Sequence, residues 1–591
     1  MTDGPRSRWI HLKGQNPYVL AREHAEAASR YAGARHDITG ELPAIVLAEP
    51  PPIERPTPPA AEDATAAAVT TTGRLVRSSA GVGIGTALSR VTGLLRTVAL
   101  TYALGATLVA DSYNLANTTP NMVYDLLLGG VLSATLVPVF VERFEHDDDD
   151  GVSAVISVAV AALVALTVVA VIAAPLIFRL YTWQADPAEA MQLTRTGVPL
   201  LRLFLPQVLF YGLTALATAL LNARRRFAAP AFAPVLNNLV VIGVLVWFAR
   251  VAGRNPTTDG LAASTLQLWL LGLGTTAGIV AMTVALWPAV RATGVRLRWR
   301  PRWRDPAVRT VASLSGWTLG YVVANQVALV VALALAARQE GGASAYTYAF
   351  VFFQLPFGLF AVSVMTTFTP DLSSAASARD AGRFRERFAL GTRLITLVVL
   401  PSSIGYVVLA RPLVSVLLSH GSFTGSAPQL TADVLVCFAV GLIGFSIYLF
   451  ALRGFYAMHD TRTPFFLNVF ENALNIAIAF ALVGRWGVQG VAFSYSVAYL
   501  LAGVVALVAL GRRIGGLGGR DLGLPVARIF AASAVMGAAV WASTRAIGAE
   551  SGGGAIVRIV AAVVVGAVVY GAAALVLRVE DVRTAVARLR R

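Results

Sequence analysis

Two arginines, Arg90 and Arg96, stand inside the first long apolar segment of the chain, where a helix facing lipid could not carry them. Each lies about nine residues from the nearer end of that segment, roughly 13 Å deep at 1.5 Å of rise per residue, which makes snorkelling to a headgroup difficult. A charge at the centre of a spanning helix costs about 2.5 to 3.5 kcal/mol even on the mild insertion scale, so two of them need a compensating environment. Six residues of helix turn them about 120° apart, so both can flank one water-filled space. A guanidinium pairs with phosphate oxygens through forked, charge-assisted hydrogen bonds, and a pyrophosphate offers several such acceptors. The competing arrangement is an ion pair with Asp111 or Asp125 on the next segment.

Other residues carry possible roles around that pair. Asp111, at the start of the second apolar segment, is placed either to hold an arginine or to cap its own helix. Pro120 removes a backbone donor and Asn121 can bond a freed carbonyl, so together they bend or relieve the second helix. Gly129 and Gly130, followed by Ser133, permit close helix approach or flexing, and Pro356 repeats the proline signal in a later span. Asp433 and Glu471 lie in or beside apolar spans, either as sodium or proton sites or as groups satisfied by solvation or a buried hydrogen bond. Arg453 is a further cation, equally suited to lipid phosphate.

The elements that must position these residues are membrane helices. Of 591 residues 56% are hydrophobic and only 14% charged, which excludes an ordinary soluble domain. A bilayer core about 30 Å thick takes roughly 20 apolar residues per helix, and runs of that length call for helices rather than a barrel. Fourteen spans are expected, at about 81–104, 108–141, 152–181, 196–223, 229–252, 261–290, 307–337, 343–372, 389–418, 429–458, 463–483, 487–510, 525–547 and 554–579. The net charge of +16 sits mostly as arginine in loops, with no soluble domain to present a groove, so nucleic acid is not the partner. Arg224–Arg226, the arginines of 291–304, Arg379–Arg387, Arg512–Arg520 and Arg583–Arg591 follow even-numbered spans, which puts both termini in the cytoplasm. The acidic run Asp147–Asp150 reads as a solvated loop, having no spaced metal ligands. Cys437 is the single cysteine, so neither an internal disulfide nor a cysteine metal site can form.

Residues 1–75 are polar and Ala/Pro-rich, as in Ala48–Ala61, and read as a disordered cytoplasmic tail without a cleavable signal. The segment from Arg226 lies over that from Thr461, Pro230 matching Pro464, Phe232 matching Phe466 and Asn238 matching Asn472. The proline pairs Pro120 with Pro138 and Pro356 with Pro370 echo it. The chain is therefore read as all-α and polytopic, with two pseudo-symmetric six-helix lobes (80–290 and 307–511) joined by a basic cytoplasmic linker at 291–306. Two additional helices (525–579) and a basic cytoplasmic tail (580–591) follow. Repeated halves of this kind suit alternating access, with the substrate between them near the midplane.

The segments Ser89–Arg96 (SRVTGLLR), Ala219–Asn238, Leu355–Ser373 and Val440–Pro464 resemble the lipid II flippase family, of MurJ or MviN type, in the multidrug/oligosaccharidyl-lipid/polysaccharide exporter superfamily. The resemblance runs collinearly over 80–580. It implies a two-lobed transporter of the bacterial plasma membrane, with an arginine-lined cavity that carries an undecaprenyl-pyrophosphate-linked peptidoglycan precursor to the outer leaflet. The last two helices would border a groove for the lipid tail. It also implies no covalent chemistry, and the expected cofactor is none, beyond coupling to Na+, H+ or the membrane potential; the tail and the basic loops offer surfaces for cell-wall synthesis proteins and membrane lipids, with no specific recognition motif. The family often carries charged residues where this chain has Tyr124, Gly129 and Val351. Either Arg202, Arg393 or Arg453 supplies the missing charge, or the headgroup differs. The alternatives are an exporter of another polyprenyl-linked glycan or amphipathic molecule and a transport-inactive membrane scaffold. Scattered acids, and His420 and His459 without a partner pattern, give no sign of an enzyme.

Overall fold

In the computed structural model the described residues are 61–126, 136–146, 148–304, 316–547 and 552–583. The chain divides into residues 1–71 and 72–591. Among the described residues there are helices and connections and no strand.

The helices of the first half are α1 (Ala61–Leu104), α2 (Leu108–Leu126), α3 (Val137–Glu145), α4 (Asp149–Thr182), α5 (Pro187–Phe204) and α6 (Gln207–Ala223). They continue with α7 (Ala228–Ala252), the short α8 (Thr258–Ala263) and α9 (Thr265–Arg291). The second half holds α10 (Gly316–Ala336), α11 (Gly342–Pro356), a π-helical turn at Phe357–Ala361, α12 (Val362–Ser377), α13 (Ala381–Leu418), α14 (Ala427–Ala457) and α15 (Arg462–Ile514). Two more, α16 (Gly519–Ile547) and α17 (Gly552–Val576), end the series. α1 begins at Ala61, inside the stretch whose composition suggested a tail.

Eleven helical stretches among the described residues are long and apolar enough to cross a membrane, against the fourteen expected. The stretches bearing Arg90 with Arg96 and Asp111 with Asn121 are outside the eleven, because polar residues needed in the interior dilute their apolarity. One stretch, α15, holds two expected spans: the chain reverses at Gly487, whose φ of 56° and ψ of −139° lie in a region that glycine tolerates.

Local chemistry starts the helices. Asp148 accepts from the Gly151 amide at the head of α4, and Asp149 and Asp150 add negative charge to that turn. Asp186 caps α5 ahead of Pro187, and Asp380 caps α13 through the Arg383 amide. Asp148 also takes Arg143 at 2.5 Å. The Gly151 amide first, and then Arg143, hold its carboxyl below the usual carboxylate range.

Of the acidic run, Asp147 lies outside the described residues, and Asp149 and Asp150, the latter still exposed, also fasten the linker. Asp150 pairs with Arg300 of the linker, and Asp149 accepts from the Arg296 amide at 3.5 Å. Ser153 and Ser157, one turn apart on α4, accept the Arg298 and Arg300 amides at 3.1 and 2.9 Å, so alternate linker residues meet successive turns of one helix face.

The repeat has a structural counterpart. Asn238 of α7 donates to the Ser89 carbonyl (3.3 Å) and to Thr92 Oγ1 (3.0 Å) of α1. Asn472 of α15 donates to Asn325 Oδ1 of α10 at 3.1 Å, and Asn468 shares that acceptor at 3.0 Å. In each half an asparagine ties the fifth expected span to the first.

Candidate functional site

The two halves meet at one end through backbone-rich contacts. The Asp111 carboxylate, at the start of α2, accepts the Gly341 amide at 2.8 Å and the Ser344 amide at 2.7 Å, at the start of α11. Those amides are among the donors that a helix N-terminus leaves unpaired, and the positive end of its dipole favours a carboxylate there. Asn114 donates to Ser344 Oγ (2.9 Å) and the Tyr348 hydroxyl to the Gly105 carbonyl (3.0 Å). From the loop after α13, the Ser422 amide donates to the Tyr102 carbonyl (3.0 Å) and the Ser422 hydroxyl accepts the Asn255 amide (3.1 Å). Gly341 has φ of 74°, and a Cβ on it would collide with the Ala106 carbonyl, so the close approach of the halves requires glycine there.

Inward from this latch lies a cavity of about 450 Å³, lined by Arg90 and Arg96 from α1, Asn117 and Asn121 from α2, Asn238 from α7, and Val351 and Gln354 from α11, among others. Among the described residues no acid lines it. Among the described residues neither arginine belongs to an ion pair. Arg90 is exposed and Arg96 half-buried. A Cβ added at Gly358, in the π-helical turn, would lie 3.2 Å from the guanidinium carbon of Arg90, so that arginine reaches across to the second half. Asn121 shapes the wall, accepting the Tyr211 hydroxyl at 2.7 Å while donating to the Asn117 carbonyl at 2.9 Å. The proline at 120 frees the carbonyl of Ala116, one residue before the one Asn121 takes.

The expected site residues therefore separate. Arg90, Arg96 and Asn121 share the cavity, whereas Asp111 is fully buried in the latch, holding neither an arginine nor its own helix end. Asp125 is exposed and outside the cavity lining. Pro120 lies within α2; Pro356 ends α11 immediately before the π-helical turn, the type of local widening that recurs at functional sites. Gly129 and Gly130 lie outside the described residues. Tyr124 packs against Tyr211, ring centroids 4.4 Å apart with planes tilted by 33°, and Val351 lines the cavity.

The cations considered as substitutes are elsewhere. Arg202 and Arg453 are exposed and outside the cavity lining, and Arg393 pairs with Asp581 at 2.9 Å. Asp433 pairs with Arg411 at 3.2 Å. Glu471 is fully buried; neither of its oxygens has a partner in hydrogen-bonding geometry, with Tyr499 on its flank. The latch escaped sequence reasoning because its donors are main-chain amides 230 and more residues away from Asp111; the doublet Gly341–Gly342 at a helix start was the available hint.

Among curated proteins, the chain is 28% identical over 478 residues to the probable lipid II flippase MurJ of Rhizobium meliloti (strain 1021), covering 79% of this chain and 86% of that one. It is also 28% identical over 487 residues to the probable lipid II flippase MurJ of Vibrio cholerae, covering 80% and 90%. A solved structure, "Lipid II flippase MurJ, inward closed conformation", matches with a TM-score of 0.69 at 22% identity, covering 84% of this chain and 98% of that one. An inward-facing multidrug resistance MATE family transporter of the MOP superfamily matches with a TM-score of 0.59 at 14% identity, covering 72% and 94%. Both structures share the fold of this chain, a multi-pass helical membrane protein. The family profile described as "Lipid II flippase MurJ" matches residues 100–561, and the chain belongs to that family.

Proposed function

We propose that this chain is a flippase that carries an undecaprenyl-pyrophosphate-linked peptidoglycan precursor of the lipid II type across the bacterial plasma membrane by alternating access. The observation that supports it most directly is the cavity shared by Arg90 and Arg96, whose wall holds no carboxylate among the described residues. In a membrane interior, guanidinium charge that is neither paired by protein nor facing water is costly, and a pyrophosphate supplies the missing counter-charge with forked hydrogen bonds. The amides of Asn117, Asn121, Asn238 and Gln354 offer donors and acceptors for the attached sugar. With the basic loops in the cytoplasm, the latch closes the outer end and the cavity is loaded from inside. Transport then requires the latch to open and the opposite end to close. No covalent bond is made or broken in this cycle. The lipid tail stays beside α16 and α17, in the membrane.

Of the two acids considered for coupling, Glu471 is the one we assign, because Asp433 is already paired with Arg411 while Glu471 is buried without a cation. Transport by the wild type and by Glu471→Gln under imposed sodium, proton and electrical gradients tests this; identical gradient responses remove Glu471 from coupling.

The experiment for the main reading is reconstitution of the purified chain in vesicles with defined lipid-linked sugars. Wild type is expected to move the pyrophosphate-linked precursor between leaflets, and Arg90→Ala with Arg96→Ala to lose at least about 100-fold, two charge-assisted bonds at 1.5 to 3 kcal/mol each. Unchanged transport in that double variant overturns the reading. A second reading, export of another polyprenyl-linked glycan, is favoured by Val351 in the wall and by the Tyr124–Tyr211 ring contact where a cation is common in the family. Failure to complement a flippase-deficient strain, with transport of a different lipid-linked sugar, would select it.

A further inference from the structure

Four asparagines line the cavity of Arg90 and Arg96, and three of them are already engaged by the protein. Asn114 donates to Ser344 Oγ in the latch at 2.9 Å. Asn121 accepts the Tyr211 hydroxyl and donates to the Asn117 carbonyl, and Asn238 donates to Ser89 and Thr92 of α1. Asn117 differs: it is only 8% exposed, and among the described residues its side-chain amide has no partner. We propose that Asn117 reads the sugar attached to the diphosphate and selects one that carries an amide, such as an acetamido group. This rests on the reading of Arg90 and Arg96 as the diphosphate site, and deepens it.

The position of Asn117 suits that role. It lies three residues inward of Asn114, about 4.5 Å along α2, and so stands at the latch end of the cavity. Arg90 meets the second half at Gly358, roughly 21 Å of helix beyond Ser344, and Arg96 is about 9 Å nearer the latch along α1. A diphosphate held by the two arginines therefore leaves the latch end to the sugar. The headgroup lies with its sugar toward the latch and its phosphates toward the inner opening. Asn114, Asn117 and Asn121 share one face of α2, and the outer two are fastened to the second half and to α6. The free amide is thus carried on a wall already braced on both sides.

The chemistry of that amide chooses the sugar. A primary amide presents a donor nitrogen and an acceptor oxygen in one plane. A ligand that displaces water from both has to replace both bonds, or leave a buried polar group unsatisfied. The N–H and C=O of an acetamido group replace them as a pair, whereas a sugar hydroxyl in that place meets the same plane with a single oxygen. A site built around such a hydrogen-bonding group rejects an analogue that lacks the partner far more strongly than an apolar pocket rejects an extra methylene. Gln354, on the α11 wall, is half-buried, so an unmatched amide there costs less.

The test is binding of three undecaprenyl diphosphates to the purified full chain, read by native mass spectrometry: one bearing N-acetylglucosamine, one bearing glucose and one bearing no sugar. Wild type should favour N-acetylglucosamine over glucose by about tenfold. Asn117→Leu, close in volume but apolar, should erase that preference while shifting the sugar-free lipid by less than about twofold. Should the leucine variant not fold, Asn117→Ala must erase the preference instead. Arg90→Ala with Arg96→Ala should weaken all three lipids. A wild type that does not favour the acetamido sugar, a preference that survives substitution of Asn117, or an equal loss of all three lipids on that substitution overturns the assignment of Asn117 and leaves the diphosphate reading standing. Full retention of the three lipids by the double arginine variant overturns the diphosphate reading, and the assignment of Asn117 with it.

Discussion

The Asp111 carboxylate accepts the backbone amide of Ser344 at 2.7 Å, so an acid at the start of one half's second helix caps the corresponding helix of the other half. Replacing it with asparagine leaves one acceptor oxygen for two amides and removes the charge, at a cost of about 1.5 to 3 kcal/mol. Asp111→Asn should therefore shift the population toward a state open at the latch end. Spin labels at the exposed Met191 and Thr424 should show a longer-distance population that the wild type lacks; an unchanged distribution would mean that other contacts hold this end shut.

Gly358 faces the Arg90 guanidinium so closely that a methyl group there would stand 3.2 Å from its carbon. Arg90 can yield a little, so Gly358→Ala should be mild, while the branched side chain of Gly358→Val should displace the guanidinium and cut transport about tenfold or more. Reconstituted transport checks this, with thermal melting alongside; a fully active Gly358→Val variant would place the working position of Arg90 elsewhere.

The linker is fastened by Ser153 and Ser157, each accepting a linker amide. The double change Ser153→Ala and Ser157→Ala removes about 1 kcal/mol per bond, enough to raise local opening by about fivefold for each. Limited trypsin digestion reads this directly, because Arg298 and Arg300 are themselves cleavage sites. Equal cleavage rates in variant and wild type would show that the ion pair of Arg300 with Asp150 suffices.

Asp148 titrates below its usual range because the Gly151 amide, and then Arg143, favour its charged form. A depressed folded-state value means that its stabilisation is complete above the unfolded carboxylate range, near pH 4, and disappears as pH falls through the lower folded value. Amide exchange at the head of α4 should accelerate below about pH 4 in the wild type. Asp148→Ala, which costs about 0.5 to 2 kcal/mol as a lost cap, should already exchange faster at pH 7 and show less of that acid dependence. An acid response identical to wild type would remove Asp148 as its source.

Arg393 and Asp581 form a pair with side chains only 20% and 11% exposed, linking α13 to the segment after α17. Arg393→Ala leaves the acid buried alone and should cost about 3 to 5 kcal/mol, freeing the C-terminal helices before the rest unfolds. Arg393→Ala combined with Asp581→Ala should recover most of that loss. If both variants melt alike, the pair carries little.

The sequence made the helical class, the repeat and the shared cavity of Arg90 and Arg96 legible, because depth in a span and helical angle are local quantities. Asn238 and Asn472, matched by spacing alone, perform the same tie in both halves. The role of Asp111 was not legible: its partners are backbone groups brought close only when the halves assemble. The same holds for Arg393, whose partner is 188 residues away, and for the acidic run, whose cations arrive from a linker about 150 residues later. Pro356 signalled a disturbed helix, yet nothing in its neighbours specified a π-helical turn rather than a kink.

Because the donors to Asp111 are main-chain amides, exchanging the side chain of Ser344 for anything but proline leaves its half of the bond chemically intact. The genetic target is thus asymmetric: a change at Asp111 removes the acceptor and a bulkier residue at Gly341 blocks the approach, but no compensating codon at Gly341 or Ser344 can restore a lost acceptor. Second-site revertants of an Asp111 defect should consequently map to neighbours that hold the same rim by other means, such as Asn114, Tyr348 and Ser422.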